Sequence, residues 1–430
     1  MSRLVHVLGF RVPLVRDGMS SGLIQAVNRA LTLVLSIVLA RGLGTESYGI
    51  YAYSFAIMGL VMLLSEVGVP NLLVREVAAS HGRREWGLLR GVFLRSRQLV
   101  MAASLTVSGI ALTVLLLRRP VLSEEEFYTL LVMFGMLPAA SLGKVTVAGL
   151  RGLHRVLLGQ TVDLILRPVL VLGLISLFFV FWPDRRDAYY AMGAQFIAAI
   201  AVLVTALLLV RMHLPKEVRG VAAQARDREW IRSALTFTLA SGALVINSRV
   251  DAIMLGWFRE PSDVGIYRVA AQSAIFAVFA MQAASAVLGP RFSNLYGRDD
   301  IETLKRIFRV SSVIVGAFSF VVFLLFLLLG RQILDVLFGA EYLAAAAPLA
   351  VLAGGYSVNA LCGPVGLLLQ MTGHEALTAR VLWGTAILNI ALNAGLIPFY
   401  GPTGAAAATA CSVALYHLIL RVRAWKILGI

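Results

Sequence analysis

Apolar runs of about 20 residues recur along the whole chain, separated by short polar stretches. A helix of that length crosses the hydrocarbon core of a bilayer, whereas the strands of a membrane barrel would alternate over about ten residues. The pattern therefore predicts an all-α polytopic membrane protein with about twelve transmembrane helices. We place the spans at residues 22–41, 48–68, 98–117, 127–150, 160–182, 188–210, 234–257, 264–288, 310–330, 345–370, 377–397 and 403–420.

Polar side chains interrupt the first span. They are expensive in hydrocarbon, so they normally face a bundle interior or a water-filled cavity. A stripe spaced by four, three and four residues, which lies on one helix face, consists of Gln25, Arg29, Thr32 and Ser36. Asn28 lies beside it. We favour a cavity for this stripe over snorkelling of Arg29 to the cytoplasmic headgroups.

Charged residues also interrupt the fourth and fifth spans. Asp163 precedes Arg167 by four residues in the fifth span, and this order favours an ion pair on one helix face. Lys144 lies late in the fourth span, where snorkelling to the headgroups is the favoured interpretation.

The C-terminal half carries a second polar set. Asn247 and Asp251 share one face of the seventh span, and Arg249 lies in the middle of that span, where a pathway or paired role is favoured. Arg268 lies near the outer end of the eighth span. Two asparagines in the eleventh span, which favour contacts between helices, are Asn389 and Asn393.

The intramembrane charges have a positive excess. The basic residues are Arg29, Lys144, Arg167 and Arg249; the acidic ones are Asp163 and Asp251. A cationic cavity suits an anionic substrate, and the planar guanidinium donates bidentately to phosphate.

The loops predict the orientation. Of the 38 Lys and Arg residues, 26 fall in one set of loops and termini and eight in the opposite set. The positive-inside rule therefore places both termini in the cytoplasm. We predict an N-terminal segment (1–21), an N-lobe of helices 1–6 (22–210), a cytoplasmic inter-lobe loop (211–233), a C-lobe of helices 7–12 (234–420) and a cytoplasmic tail (421–430).

The two halves share a motif. Gly49-Ile50-Tyr51 follows the first span, and Gly265-Ile266-Tyr267 follows the seventh span in the same context. Six spans per repeat keep both halves in the same orientation, as in transporters built from parallel repeats. This predicts two pseudo-symmetric six-helix lobes and alternating access by rocking of the halves.

Composition and missing motifs limit the function. The net charge of +15 could point to nucleic acid, but in a chain that is 59% hydrophobic it is better explained by basic cytoplasmic loops, so we expect no nucleic acid. Gly143-Lys144 lacks the rest of a P-loop, and no H-E-x-x-H or G-x-S-x-G motif is present. The six histidines are scattered. We therefore predict neither an enzyme nor a metal site, and no cofactor beyond a coupling ion, H⁺ or Na⁺.

Four stretches resemble the Wzx-type oligosaccharide flippases of polysaccharide biosynthesis, which belong to the multidrug/oligosaccharidyl-lipid/polysaccharide (MOP) superfamily. They are "LSIVLARGLGTESYGIYAYSFAIMGL" (35–60), "SRVDAIMLGWF" (248–258) with "DVGIY" (263–267), "VLFGAEYLAAAAPLAVLAGG" (336–355) and "LNIALNAGLIPFYGPTGAAAATA" (388–410). The resemblance implies a MATE-like fold in a bacterial-type inner membrane. It also implies outward flipping of polyprenyl-pyrophosphate-linked oligosaccharides.

The resemblance extends to individual residues. In related lipid II flippases, arginines on the first and eighth helices are thought to engage the pyrophosphate, and Arg29 and Arg268 lie on those helices here. The predicted substrate-binding residues are Arg29, Asn28, Gln25, Arg167, Arg249, Asn247 and Arg268. Asp163 and Asp251 are predicted to pair with arginines or to carry the coupling ion.

The favoured function is a lipid-linked oligosaccharide flippase for O-antigen, exopolysaccharide or capsule assembly. Its predicted partners are the lipid-linked glycan and membrane lipids, with a polysaccharide polymerase and glycosyltransferases as candidates. Two alternatives stay open: a MATE-type drug/cation antiporter, which an acidic cavity would favour, and an integral membrane enzyme of glycan assembly, which a catalytic pair would favour.

Overall fold

The computed structural model describes residues 12–429, and the side chains of all of these except 12–19 and 240. Every regular element in this range is helical, which agrees with the predicted all-α fold. Half of the predicted N-terminal segment, residues 1–11, lies outside the described residues.

The helices before residue 214 are α1 (Val12–Glu66), α2 (Val69–Gly82), α3 (Trp86–Arg118), α4 (Glu124–Gly152), α5 (Val156–Thr161), α6 (Arg167–Phe181) and α7 (Ala188–His213). The later helices are α8 (Asp227–Phe258), α9 (Pro261–Ala274), α10 (Phe279–Gly297), α11 (Ile301–Phe338), α12 (Ala346–Cys362), α13 (Val365–Met371) and α14 (Glu375–Leu428). A π-helical turn (Val162–Leu166) joins α5 to α6. Short 3₁₀ turns occupy Arg119–Val121, Lys216–Arg219, Ile275–Val278 and Ala340–Ala345.

The number of spans agrees with the sequence once two long helices are divided. In the described part of the chain, nine helices are long and apolar enough to cross a membrane, and the bent α8 makes a tenth. The apolar stretch of α1 runs for 47 residues and that of α14 for 54 residues, which is enough for two spans each. Dividing both helices gives the predicted twelve.

Each division falls at a glycine. Gly44 in α1 has φ 77° and ψ 177°, and Gly401 in α14 has φ 52° and ψ −130°. L-residues with a side chain avoid these dihedral angles, whereas glycine adopts them without a steric penalty. The two glycines therefore end one span and begin the next without an intervening loop.

Two details differ from the predicted spans. Residues 69–97, predicted as a loop, form α2 and the start of α3. Hydropathy does not reveal α2, because this helix is amphipathic and too short to cross the bilayer. The predicted span 345–370 is broken between α12 and α13, where Gly363 has φ 73° and Pro364 follows. Proline has no backbone N–H to donate, and together with the left-handed Gly363 it marks the end of α12.

The described chain forms two compact units, one of residues 12–38 and 57–242 and the other of residues 39–56 and 243–429. In the first unit α4 is the central helix and packs against α2, α3 and α7. Gly149 of α4 meets the ring of Phe93, and Gly152 meets Val77. Small residues on α4 thus allow its neighbours to approach closely, as is typical of helix contacts in membranes.

In the second unit α12 packs against α11 and α14. Its Gly355 touches the backbone of Ala410 on α14. A buried apolar cluster in this unit includes Phe292, Phe308, Val365, Leu368 and Leu420.

The two copies of the repeated motif meet inside the second unit. A Cβ on Gly49 would overlap the carbonyl oxygen of Pro261 and lie 3.2 Å from the backbone nitrogen of Gly265. A Cβ on Gly265 would overlap the carbonyl oxygen of Thr45. Both glycines are therefore required for the close approach of α1 and α9.

Candidate functional site

Asp251, a carboxylate on α8, is buried in the second unit, with 5% of its surface exposed. The hydroxyl of Tyr267 on α9 donates to its Oδ2 at 2.7 Å. The amide of Asn393 on α14 donates to its Oδ1 at 2.8 Å, and Thr409 Oγ1 donates to Oδ2. Three neutral side chains from two other helices thus hold the carboxylate, as a buried polar group requires.

One oxygen of this cluster has no partner. Asn393 Nδ2 also donates to Asn389 Oδ1 at 3.1 Å, while Asn393 Oδ1 is buried without a hydrogen bond. All five members of the Asp251 cluster (Asp251, Tyr267, Asn389, Asn393 and Thr409) carry oxygen atoms, and hard cations prefer oxygen ligands. Among the described residues no group of three or more His, Cys, Asp or Glu is placed to hold a metal ion.

Two arginines lie near this cluster in the second unit. The guanidinium of Arg249 on α8 lies 5.6 Å from the centroid of the Phe55 ring. Arg268 on α9 is close enough to repel Arg249 electrostatically. Within the described residues, neither arginine has a carboxylate within 4.0 Å. Asp251 is held by neutral donors and forms no ion pair with either arginine.

The stripe of the first predicted span runs from an exposed end to a buried end. Gln25 is exposed, Asn28 and Arg29 are half-buried, and Ser36 is buried. Thr32 Oγ1 donates to the carbonyl of Asn28 at 2.7 Å, within its own helix. Arg29 Nη1 is buried without a hydrogen-bond partner. The role of this stripe stays a prediction.

The predicted ion pair between Asp163 and Arg167 is not formed. Arg167 Nη2 instead reaches Gln195 Oε1 at 3.5 Å, a weak contact. The stretch Val162–Leu166 is a π-helical turn, in which residues four apart no longer lie above one another. Pro168 explains this turn, because its ring would clash with the carbonyl four residues earlier.

Lys144 forms an ion pair with Glu66. Its ammonium lies 2.8 Å from Glu66 Oε2, at the end of α1. The side chain of Glu66 is 9% exposed and that of Lys144 is 44% exposed. Lys144, for which the sequence favours snorkelling, thus forms an ion pair within the first unit.

The sequence alone assigned no functional role to Glu66, Tyr267 or Thr409. Glu66 is an acidic residue inside a predicted span, which is itself a signal. Tyr267 belongs to the repeated motif, whereas Thr409 lies in an alanine-rich stretch without any signal. Of the predicted residues, Asn247 is half-buried one turn before Asp251.

Comparison with known proteins identifies relatives over most of the chain. The family model described as polysaccharide biosynthesis protein matches residues 14–296, and the MatE model matches residues 238–394. Two relatives come from Haloferax volcanii. The probable low-salt glycan biosynthesis flippase Agl15 is 23% identical over 87% of this chain and 76% of its own length. The probable flippase AglR is 24% identical over 91% and 79%.

Solved structures share the fold. An inward-facing multidrug resistance MATE family transporter of the MOP superfamily superposes with a TM-score of 0.76, at 14% identity over 96% of this chain and 98% of that one. The lipid II flippase MurJ in an inward closed conformation gives 0.74, at 14% identity over 94% and 87%. These matches confirm the resemblance and the MATE-like helical fold that the sequence predicts.

Proposed function

Because the chain belongs to the polysaccharide biosynthesis protein family, we propose that it flips a polyprenyl-pyrophosphate-linked oligosaccharide from the inner to the outer leaflet by alternating access. The glycan would serve O-antigen, exopolysaccharide or capsule assembly. The two relatives are named as probable flippases, and one of them acts in glycan biosynthesis. Moving a substrate between leaflets makes and breaks no bond, so the chain is a transporter and not an enzyme.

The proposal includes a location and partners. The chain is a multi-pass membrane protein. We propose an inner membrane, as the family resemblance implies, and the basic loops support cytoplasmic termini. A polymerase and glycosyltransferases are the proposed partners, because they would consume and supply a lipid-linked glycan.

The observation that carries the proposal is the uncompensated positive charge at Arg249 and Arg268. Neither has a carboxylate within 4.0 Å among the described residues. Uncompensated guanidinium groups are costly in a membrane and favour an anionic ligand. The diphosphate of the lipid-linked glycan offers oxygens that match the guanidinium fork.

The MatE match to residues 238–394 favours a second candidate, a drug/cation antiporter. A carrier of organic drug cations requires acidic groups that are open to a bulky ligand, however. The buried Asp251 is enclosed by Tyr267, Asn393 and Thr409, while the open charges nearby are arginines. The sign of the charge therefore favours the flippase.

The test uses a host whose own flippase has been deleted. The wild-type chain is expected to restore glycan on the cell surface, as detected by a lectin, and Arg249→Ala and Arg29→Ala are each expected to abolish it at unchanged membrane protein level. Arg118→Ala, an exposed arginine at the end of α3, is the control and is expected to behave as wild type. Normal export by both Arg249→Ala and Arg29→Ala would overturn the proposal.

The Asp251 cluster is the proposed site of the coupling ion. Asp251, Asn389, Asn393 and Thr409 supply carboxylate, amide and hydroxyl oxygens, and the unpartnered Asn393 Oδ1 is free to bind a cation. Hard cations prefer oxygen ligands of this kind, and we propose Na⁺ as the ion. Asp251 would hold the positive charge, and the amides would replace part of the hydration shell.

Thermal unfolding in NaCl and in KCl tests this site. A cation that binds only the folded chain stabilises it by about 2.7 kcal/mol at one hundred times its Kd. We expect Na⁺ to raise the unfolding temperature of the wild type and of the exposed control Asn294→Ala, but not that of Asn393→Ala. Equal stability of the wild type in both salts would exclude Na⁺ and leave H⁺ as the proposed ion.

A further inference from the structure

Glu66 depends on one cation. Its Oε2 accepts from Lys144 Nζ at 2.8 Å, and no other ion pair involves Glu66 within the described residues. Its Oε1 is buried without a hydrogen bond. Asp163 also acts on Glu66, and its negative charge repels the carboxylate. Without Lys144, the Glu66 carboxylate would be buried and uncompensated, and such a group neutralises itself by taking up a proton.

Lys144 is free to change partners. Its side chain is 44% exposed, against 9% for Glu66, so the ammonium is accessible from outside the pair. Lysine carries its charge on a flexible four-carbon stem with three donors, and only one donor is engaged by Glu66. A diphosphate, with more negative charge and more acceptor oxygens than one carboxylate, is a stronger partner for the same ammonium.

We propose that Lys144 is a further residue that contacts the substrate, in a step separate from binding at Arg249 and Arg268: when the headgroup binds in the first unit, Lys144 exchanges Glu66 for the diphosphate. The carboxylate that is left behind takes one proton from solution to form a neutral carboxylic acid. On release of the headgroup, Lys144 returns to Glu66 and the proton leaves. Substrate binding in the first unit is then linked to the uptake of one proton. This inference rests on the proposed function.

Substitutions separate the exchange from a static ion pair. Glu66→Gln removes the competitor of the diphosphate while keeping the size of the side chain, so affinity is expected to rise about tenfold. Lys144→Gln removes the contact, so affinity is expected to fall about tenfold. The double variant keeps no buried charge at this position and is expected to bind as weakly as Lys144→Gln, which preserves the test if the single lysine variant fails to fold.

Isothermal titration of the purified full-length chain with farnesyl diphosphate measures both quantities. Farnesol serves as the uncharged probe. Titrations in two buffers of different ionisation enthalpy give the number of protons taken up per ligand. The wild type is expected to take up about one proton more per ligand than Glu66→Gln, a difference in which the protonation of the ligand itself cancels. Glu302→Gln and Lys305→Gln are matched controls, because they alter a longer Glu–Lys pair, at 3.7 Å, in which the carboxylate is exposed.

The outcomes are distinct. Binding by the wild type with unchanged affinity in Glu66→Gln and in the double variant would overturn the exchange while leaving the proposed function standing. Equal proton uptake by the wild type and Glu66→Gln would overturn the linkage to a proton. Absence of any difference between farnesyl diphosphate and farnesol for the wild type would overturn both the exchange and the diphosphate in the proposed function.

Discussion

At the scale of single residues, charge is compensated at some intramembrane positions and left open at others. Asp251 accepts from three neutral donors and Glu66 from one lysine, whereas the contact of Arg249 among the described side chains is the ring of Phe55. A cation over an aromatic face is stabilised by about 0.5–2 kcal/mol, less than a buried ion requires. The anionic ligand that we propose for Arg249 would supply further compensation of its charge.

Tyr267→Phe is expected to destabilise the second unit. The hydroxyl donates to Asp251 at 2.7 Å, and a hydrogen bond to a charged group is worth about 1.5–3 kcal/mol. Thermal unfolding in detergent measures the loss. Tyr356→Phe is the matched control, since Tyr356 lies near Asp251 but makes no hydrogen bond among the described side chains. Equal unfolding temperatures of the two variants would contradict this account.

The sequence predicts which residues carry chemistry better than which residues meet. Asn247 and Asp251 are placed on one face by their spacing alone. The donors to Asp251 are 16, 142 and 158 residues away, so no helical periodicity connects them. The Glu66–Lys144 pair likewise joins two helices. Such contacts depend on the packing of helices, which a single sequence does not contain.

At the scale of elements, the helices change direction or helix type at glycine and proline residues. Twelve apolar runs predict twelve spans, but not that Gly44 and Gly401 join two pairs of them without a loop. The π-helical turn before Pro168 separates Asp163 from Arg167, against the prediction of an ion pair. A local change of helix type thus overrides the spacing rule of a regular α-helix.

Gly401→Ala is expected to be destabilising by about 1–3 kcal/mol because of its backbone alone. The nearest atoms to a Cβ at this position are Asp263 Oδ2 at 3.5 Å and Arg259 Nε at 3.6 Å, so there is room for a methyl group. Gly395→Ala in the same helix has open space and is expected to be neutral or stabilising. Comparison of their unfolding temperatures checks the prediction; a loss for both or for neither would contradict it.

Gly49→Ala is expected to force α1 and α9 apart in the second unit. The added methyl group would overlap the carbonyl oxygen of Pro261, and overpacking typically costs about 1–3 kcal/mol. Yield of folded protein and unfolding temperature are the measurements. Gly22→Ala, on the exposed part of α1 with nothing within 4 Å, is the control and should leave both unchanged.

At the scale of the whole molecule, the sequence predicts a division at the inter-lobe loop 211–233. The compact units divide the chain after residue 242, and the second unit also contains residues 39–56. No hydropathy pattern could reveal this segment, because its apolar residues resemble those of any other span. The repeated Gly-Ile-Tyr motif is the one trace of it in the sequence, since one copy lies in the segment and meets the other.

The predicted orientation is tested by labelling with a membrane-impermeant maleimide. In a chain with Cys362 and Cys411 replaced by alanine, Asp184→Cys is expected to react in intact cells. Ala223→Cys, in the basic loop after α7, is expected to react only after permeabilisation. Both positions are exposed, so accessibility alone does not separate them. The reverse pattern would place both termini outside.

The segment 39–56 has a consequence for biosynthesis. The hydroxyl of Tyr342 donates to the carbonyl of Ala40, 302 residues earlier, and Arg41 donates to the carbonyls of Val336 and Leu337. At about 5–20 residues per second, a ribosome needs roughly 15–60 s to reach these partners after making Ala40. This segment therefore enters the membrane long before the partners that fix Ala40 and Arg41 are made. In a chain truncated before α11, the carbonyl of Ala40 and the guanidinium of Arg41 would lack these hydrogen-bond partners permanently.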